Sequence, residues 1–154
     1  MDQGKVLQLI YNGVTHDNFN YGSFDKRLEL QKIIYLLQEL GLNVGGYYFS
    51  WYKYGPYSQS LQEDAYRSSP ANGELVFTDY AKPIIEKLSN LIMVKTEKYS
   101  RASFLEAIAS IRYLMKHYHF DETQVLHELT KRKPYLNNIH DNEMALKTVL
   151  LLFS

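Results

Sequence analysis

The chain contains no cysteine, which excludes disulfide bonds, thiol catalysis and zinc sites built on thiolates. It also lacks an excess of either charge, because 17 Lys and Arg balance 17 Asp and Glu. An indiscriminate binder of nucleic acid or membranes normally shows a basic surplus. The longest apolar run, Val149–Phe153, is far shorter than the roughly 20 residues that cross a bilayer. We therefore expect a cytoplasmic protein without a membrane span, a metal or another cofactor.

Length and composition indicate one compact unit. The chain has 154 residues, of which 45% are hydrophobic, as in ordinary globular domains. We predict a winged-helix-like core over residues 1–98 and a C-terminal helical extension over residues 99–154. The polar connection between them is short, so the extension should pack on the core.

The predicted fold class is mainly α, because apolar residues recur at helical spacing along most of the chain. Serine, threonine and aspartate stand where helices should begin and can accept hydrogen bonds from free backbone N–H groups. The expected N-caps are Ser23 or Asp25, Ser58 or Ser60, Thr78 and Asp121. The predicted helices cover residues 3–12, 23–40, 58–68, 79–93, 101–117, 122–132 and 141–153.

Two short strands complete the prediction and would form a small two-stranded sheet. Residues 47–54 are rich in aromatic side chains and lie between glycines, which is typical of a strand. Gly55–Pro56 is expected to end this strand, since proline cannot donate to a ladder. Residues 74–77 are the second predicted strand. The side chains assigned to the core face of the first strand are Tyr47, Phe49 and Trp51.

Tyrosine is the most unusual component, with 14 residues in the chain and a concentration between Tyr47 and Tyr57. Tyrosine and tryptophan are favoured at protein interfaces. Single-stranded nucleic acid also stacks on aromatic rings, but it needs a basic groove, and Lys53 is the sole cation of this stretch. The face of this segment opposite the core face is therefore either a partner-binding surface or a surface that packs locally against the rest of the chain. The candidate partner-binding residues are Tyr48, Tyr52, Lys53, Tyr54, Gly55, Pro56 and Tyr57.

A winged-helix DNA-binding regulator is the second hypothesis. The helix after Gly55–Pro56 would enter the DNA groove, yet its charged residues Glu63, Asp64 and Arg67 give a net charge of −1. Phosphate contacts normally need several lysines or arginines. A homodimer, which the sequence leaves open, could still assemble a basic face. Its cations would be Lys26, Arg27, Lys32 and Lys53.

A ribonuclease of the HEPN type is the third hypothesis. Arg112 precedes His117 by five positions on a predicted helix, with His119 beyond it, and such pairs occur in those enzymes. On a helix these two side chains point about 140° apart. Favourable placement of cations at a helix C-terminus is the simpler explanation, both here and for Lys131–Arg132–Lys133.

Two sequence blocks resemble the SocA/Panacea-like proteins and their YwgA-like relatives. The blocks are residues 28–37, LELQKIIYLL, and residues 49–58, FSWYKYGPYS. Residues 129–135, LTKRKPY, are similar to a tail motif of the same group. The resemblance implies a small, largely helical module, and members of the Panacea group are antitoxins that neutralise toxins by protein contact. Tyr57 stands where many Panacea antitoxins have valine, which is closer to the YwgA-like branch.

The sequence thus favours a non-enzymatic interaction module, antitoxin-like or regulatory. Its partner would be another protein, such as a toxin encoded nearby, bound through the aromatic surface around Gly55–Pro56.

Overall fold

The protein is mainly helical, with a small antiparallel sheet, in the computed structural model, which describes residues 2–154. The described elements are α1 (Gln3–Thr15), α2 (Phe24–Glu39), β1 (Ser50–Tyr52), β2 (Gly55–Tyr57), α3 (Gln59–Arg67), α4 (Ala81–Ile92), α5 (Arg101–Tyr118), α6 (Glu122–Arg132) and α7 (Ile139–Leu152). This layout confirms the predicted fold class and is consistent with a winged-helix-like arrangement. No helix within residues 2–154 is both long enough and apolar enough to cross a membrane.

Most helices begin at a side-chain cap. Ser23, Ser58 and Asp121 each accept a hydrogen bond from the N–H three residues on, as the sequence predicted. The Asp121 cap is reciprocal, because the Gln124 side-chain oxygen accepts a hydrogen bond from the Asp121 N–H. Helix α4 begins two residues later than predicted, although the Thr78 hydroxyl still accepts from the Ala81 N–H at 3.1 Å.

Helix α5 lies at the centre of one continuous hydrophobic core. It packs against α2, α4, α6, α7 and β2, and its apolar residues from Phe104 to Leu114 are almost all fully buried. The core includes side chains from Leu7 in α1 to Leu152 in α7. Residues 99–154 therefore supply the central helix around which the earlier elements pack.

A buried ionic network attaches the start of α5 to α1 and α2. The Arg101 guanidinium donates to Glu29 at 2.5 Å and to Asp17 at 3.0 Å. The Tyr11 hydroxyl donates to the same Glu29 carboxylate at 2.6 Å. Glu29 is 3% exposed, so its charge needs these donors. The hydrogen bonds that Arg101 donates to Glu29 raise the pKa of Arg101, and burial raises the pKa of Tyr11.

The sheet differs from the prediction in both strands. Strand β1 covers only residues 50–52 of the predicted 47–54. Gly55–Pro56, predicted to end that strand, instead begins β2, and Pro56 pairs with Trp51 in an antiparallel hairpin. Gly55 has φ +90°, which lets the chain reverse after Lys53 and Tyr54. Proline is tolerated because every strand of a two-stranded sheet is an edge strand.

The second predicted strand, residues 74–77, is wrong. This segment has no sheet partner, and its alternating pattern has another cause. Leu75 and Phe77 are half-buried and pack on the core, whereas Val76 is 97% exposed. An extended segment lying on helices has the same two-residue periodicity as a paired strand.

Candidate functional site

The predicted partner-binding residues lie on the hairpin and differ in exposure. Tyr48 and Tyr52 are 80% and 63% exposed, and Lys53 is also exposed. Tyr54 and Tyr57 are half-buried, while Gly55 and Pro56 are buried. This segment thus presents aromatic rings and one lysine to solvent, while the first two residues of β2 are buried.

The three rings assigned to the core face are half-buried and pack against the core, as predicted. Phe49 lies edge-on to Tyr35 with ring centroids 5.2 Å apart, and Trp51 lies 5.4 Å from Tyr113. The Tyr47 hydroxyl donates to Asp64 at 2.6 Å. This face fixes the hairpin to α2, α3 and α5.

The opposite face forms a small cavity with α2. Tyr52 and Tyr57 lie diagonally across the two strands with centroids 5.4 Å apart, and Tyr54 lies edge-on to Phe24 at 5.3 Å. The cavity has a volume of about 190 Å³. We call it the hairpin cavity. Its lining comprises Phe24, Arg27, Leu28, Gln31, Lys32, Tyr52, Tyr54, Tyr57 and Gln62.

Tyr48 lies outside this cavity, whereas Phe24 belongs to it although it was not a predicted site residue. Phe24 is the first residue of α2 and is 49% exposed. Phe24 follows the N-cap Ser23 directly, so its side chain lies at the end of the helix and outside the buried stripe. This position in the sequence could have identified Phe24 as a candidate site residue.

Buried polar side chains of α2 form hydrogen bonds with the backbone of β2 and of the residue that follows it. The Gln31 amide exchanges two hydrogen bonds with the backbone of Ser58, both at 2.9 Å. The Lys32 ammonium donates to the Pro56 carbonyl at 2.7 Å. Both side chains are at most 3% exposed. These bonds satisfy backbone groups that the short strand cannot pair by itself.

The segment after α6 supports the turn in the same way. The Lys133 ammonium donates to the Lys53 carbonyl at 2.6 Å and lies 4.7 Å from the centre of the Trp51 ring. The Tyr135 hydroxyl lies 3.3 Å from the same carbonyl and donates to the Glu106 carboxylate. The turn is therefore held by residues about 80 positions away in the chain.

Lys32, Lys133 and Glu106 form a buried cluster of two cations and one anion, with Lys133 3.9 Å from Glu106. Burial lowers the pKa of Lys32 to about 7; Glu106 opposes this shift and Lys133 adds to it. Burial likewise lowers the pKa of Lys133 and raises that of Glu106. One carboxylate cannot compensate two buried ammonium groups, so the folded protein favours loss of a proton from Lys32.

This pKa predicts how stability depends on pH. Between pH 7 and pH 10.5 the unfolded chain binds a proton at Lys32 that the folded protein releases, so the free energy of unfolding should rise with pH across this interval. We expect Lys32→Met to reduce the slope measured by urea unfolding from pH 7 to about 8.5, where tyrosines of the unfolded chain are still almost fully protonated.

Lys147→Met, at an exposed position, is the matched control and should keep the parent slope. An unchanged slope in Lys32→Met would contradict the assignment of a neutralised lysine to this position.

The basic clusters considered in the sequence do not assemble. Lys133 is buried, and Lys131 and Arg132 both pair with Glu128. Of the four cations that would form a basic face in a dimer, Lys32 is 1% exposed and Lys26 pairs with Asp17. Of the remaining members, Arg27 lines the hairpin cavity and donates to the Tyr21 carbonyl at 2.5 Å, and Lys53 lies 5.6 Å from the centre of the Tyr54 ring.

The arginine and histidines of the ribonuclease hypothesis have separate partners. Arg112 donates to Glu39 at 3.1 Å and lies over the ring of Phe153 at 3.9 Å. His117 stacks on Tyr113, and His119 ends α5 with φ 56°. Across residues 2–154, no three His, Asp or Glu side chains lie close enough to hold a metal ion.

The three sequence blocks on which the predicted resemblance rests, residues 28–37, 49–58 and 129–135, meet at the hairpin. The first supplies Gln31 and Lys32, the second is the hairpin itself, and the third supplies Lys133 and Tyr135. In comparisons with known proteins, no family model, no curated protein and no solved structure matches this chain.

Proposed function

We propose that the protein is a non-enzymatic, cytoplasmic interaction module, antitoxin-like or regulatory, that binds a partner protein through its hairpin surface. The hairpin surface consists of Phe24, Tyr52, Lys53, Tyr54 and Tyr57. The proposal rests on one observation: accessible aromatic rings stand on a hairpin whose backbone is hydrogen-bonded by buried lysine side chains.

A preorganised aromatic surface suits binding for an energetic reason. Association costs free energy for each side chain and loop that becomes ordered. Here the turn is already held by Lys133, and β2 by Gln31 and Lys32. Tyrosine is also among the residues that contribute most to binding at interfaces. The partner would therefore meet rings that are in place before contact.

The polar groups near the hairpin favour binding over catalysis. Gln31, Lys32 and Lys133 each donate to a backbone carbonyl of the hairpin or of Ser58. These donors stabilise the shape of the surface, and their bonds would have to break before they could act on a substrate. The resemblance to antitoxins that work by protein contact supports the same proposal.

The test uses the product of the neighbouring gene as the first partner, with both proteins purified and binding measured by titration calorimetry. Tyr52→Ala should raise Kd about 30-fold or more, since loss of an interface ring of this kind costs about 2 kcal/mol. Tyr52 is largely exposed, so this variant should fold normally.

Tyr80→Ala is the matched control, because Tyr80 is 66% exposed against 63% for Tyr52 and lies on α4's N-terminal side, outside the hairpin cavity. It should bind like the parent. Equal Kd values for both variants would remove the hairpin surface as the binding site. A gel-shift titration against salt with duplex DNA tests the regulator hypothesis, because a DNA reader loses affinity steeply as salt rises.

A further inference from the structure

The hairpin cavity has the size of one aromatic side chain. Its volume is about 190 Å³, and an apolar cavity of roughly 150 Å³ in another protein accepts benzene. The surrounding rings are Phe24, Tyr54, Tyr52 and Tyr57. Aromatic pairs favour edge-to-face contact at centroid separations of about 4.5–7 Å. A ring entering this cavity would meet partners able to adopt that geometry.

Two cations lie beside the aromatic rings of the cavity, Arg27 within its lining and Lys53 outside it. Arg27 lies 5.7 Å from the centre of the Phe24 ring, Phe24 contacts Tyr54, and Lys53 lies 5.6 Å from the centre of the Tyr54 ring. These four side chains form one continuous row. Neither Arg27 nor Lys53 forms an ion pair with a carboxylate among residues 2–154.

The nearest acidic group of α3 is engaged elsewhere. Glu63 accepts a hydrogen bond from Gln59 at 3.4 Å. Burial raises the pKa of the Tyr57 hydroxyl, and the Glu63 charge adds a smaller contribution. Glu106 is buried beneath the turn and bonded to Tyr135. The exposed Asp25 carboxylate is next in sequence to Phe24 but forms no ion pair with Arg27 or Lys53, so an incoming carboxylate would displace no ion pair at this row.

We propose that the hairpin cavity accepts one aromatic side chain of a partner polypeptide that carries an acidic residue beside it in sequence. The ring would enter between the tyrosines, and the adjoining carboxylate would reach Arg27 or Lys53. This inference rests on the proposed function and adds the chemistry of the segment that is bound. At protein interfaces a buried apolar side chain supplies most of the affinity, and neighbouring charges fix how the partner is placed.

The test titrates the ¹⁵N-labelled protein with three blocked tripeptides and follows amide shifts by NMR. The probes are Ac-Glu-Phe-Glu-NH₂, Ac-Glu-Ala-Glu-NH₂ and Ac-Lys-Phe-Lys-NH₂. The acidic phenylalanine peptide should shift amides of the hairpin and of α2 and should bind at least about tenfold more tightly than the other two. Absence of these shifts, or equal binding of the three peptides, would overturn the proposal.

Two variants separate the ring from the charge. Lys53→Gln, at an exposed position, should reduce the preference for the Glu-flanked over the Lys-flanked peptide at least threefold. Tyr57→Ala should abolish the preference for phenylalanine over alanine. Lys82→Gln, also exposed, is the control and should retain both preferences.

The outcomes distinguish this inference from the proposed function. Loss of whole-partner binding in Tyr52→Ala, together with equal binding of the three peptides, would refute the aromatic–acidic segment and leave the hairpin surface as the binding site. Unchanged partner binding in Tyr52→Ala would refute the proposed function itself.

Discussion

Replacement of Gly55 by alanine is expected to destabilise the protein by about 2–5 kcal/mol, the combined cost of a left-handed backbone and of overpacking. Gly55 has φ +90°, and an added Cβ would lie 2.6 Å from the Ser110 hydroxyl oxygen. Helix α5 is the central helix of the core, so its backbone cannot move away. Urea unfolding of the parent and the variant measures the difference.

Gly73 provides the matched control, because its φ is +94° and nothing lies within 4 Å of an added Cβ. Gly73→Ala should therefore cost only the backbone term, about 1–2 kcal/mol. Equal losses at both glycines would show that the contact with α5 contributes nothing.

Ser110 offers an independent test of the same contact. Its hydroxyl is buried without a hydrogen-bond partner, so Ser110→Ala alone should be neutral or slightly stabilising. In the double variant the Cβ of residue 55 loses its 2.6 Å neighbour, and the Ser110 Cβ at 3.8 Å is an ordinary contact. We expect Ser110→Ala to restore at least about 1 kcal/mol in the Gly55→Ala background.

Glu106→Gln is expected to have the other large effect, a destabilisation of about 3–5 kcal/mol. The Glu106 carboxylate is the anion of the buried cluster, and its removal leaves the buried Lys133 ammonium without a counter-charge and favours the neutral form of Lys32 still more strongly. The Tyr135 hydroxyl would also lose a charged acceptor. Chemical denaturation at pH 7 measures the loss.

Glu86→Gln, at an exposed position of α4, is the control and should change stability by less than about 0.5 kcal/mol. In a double-mutant cycle, Lys133→Met should cost less when Glu106 is already glutamine, with a coupling of at least about 1 kcal/mol. Strict additivity of the two changes would mean that the cluster is not a unit.

The helices could be predicted from the sequence because their signals are local. Apolar spacing sets each helix, and caps such as Ser58 and Asp121 mark the first residue. The hairpin was only half predicted. The aromatic run indicated β1. The pairing of Trp51 with Pro56 depends on the positive φ of Gly55, a conformation that glycine can adopt but does not have to adopt.

The support beneath the site could not be predicted, since lysine is rarely buried. Lys32 stands among Leu30, Ile33 and Ile34, and α2 is buried on nearly every side from Glu29 to Leu37. The many apolar residues around Lys32 in the sequence were the one local indication that its side chain is buried. For Lys133 no local signal existed, because its partners on the turn lie about 80 residues away.

The long separation between Lys133 and the turn has a consequence for synthesis on the ribosome. While residues beyond the hairpin are still being translated, the Lys53 carbonyl lacks its ammonium donor and the Trp51 ring lacks its cation. Residues 133–135 must therefore be translated and docked before the turn has all of its hydrogen bonds. For the proposed function, this means that the hairpin surface would be complete only after residue 135 has been translated.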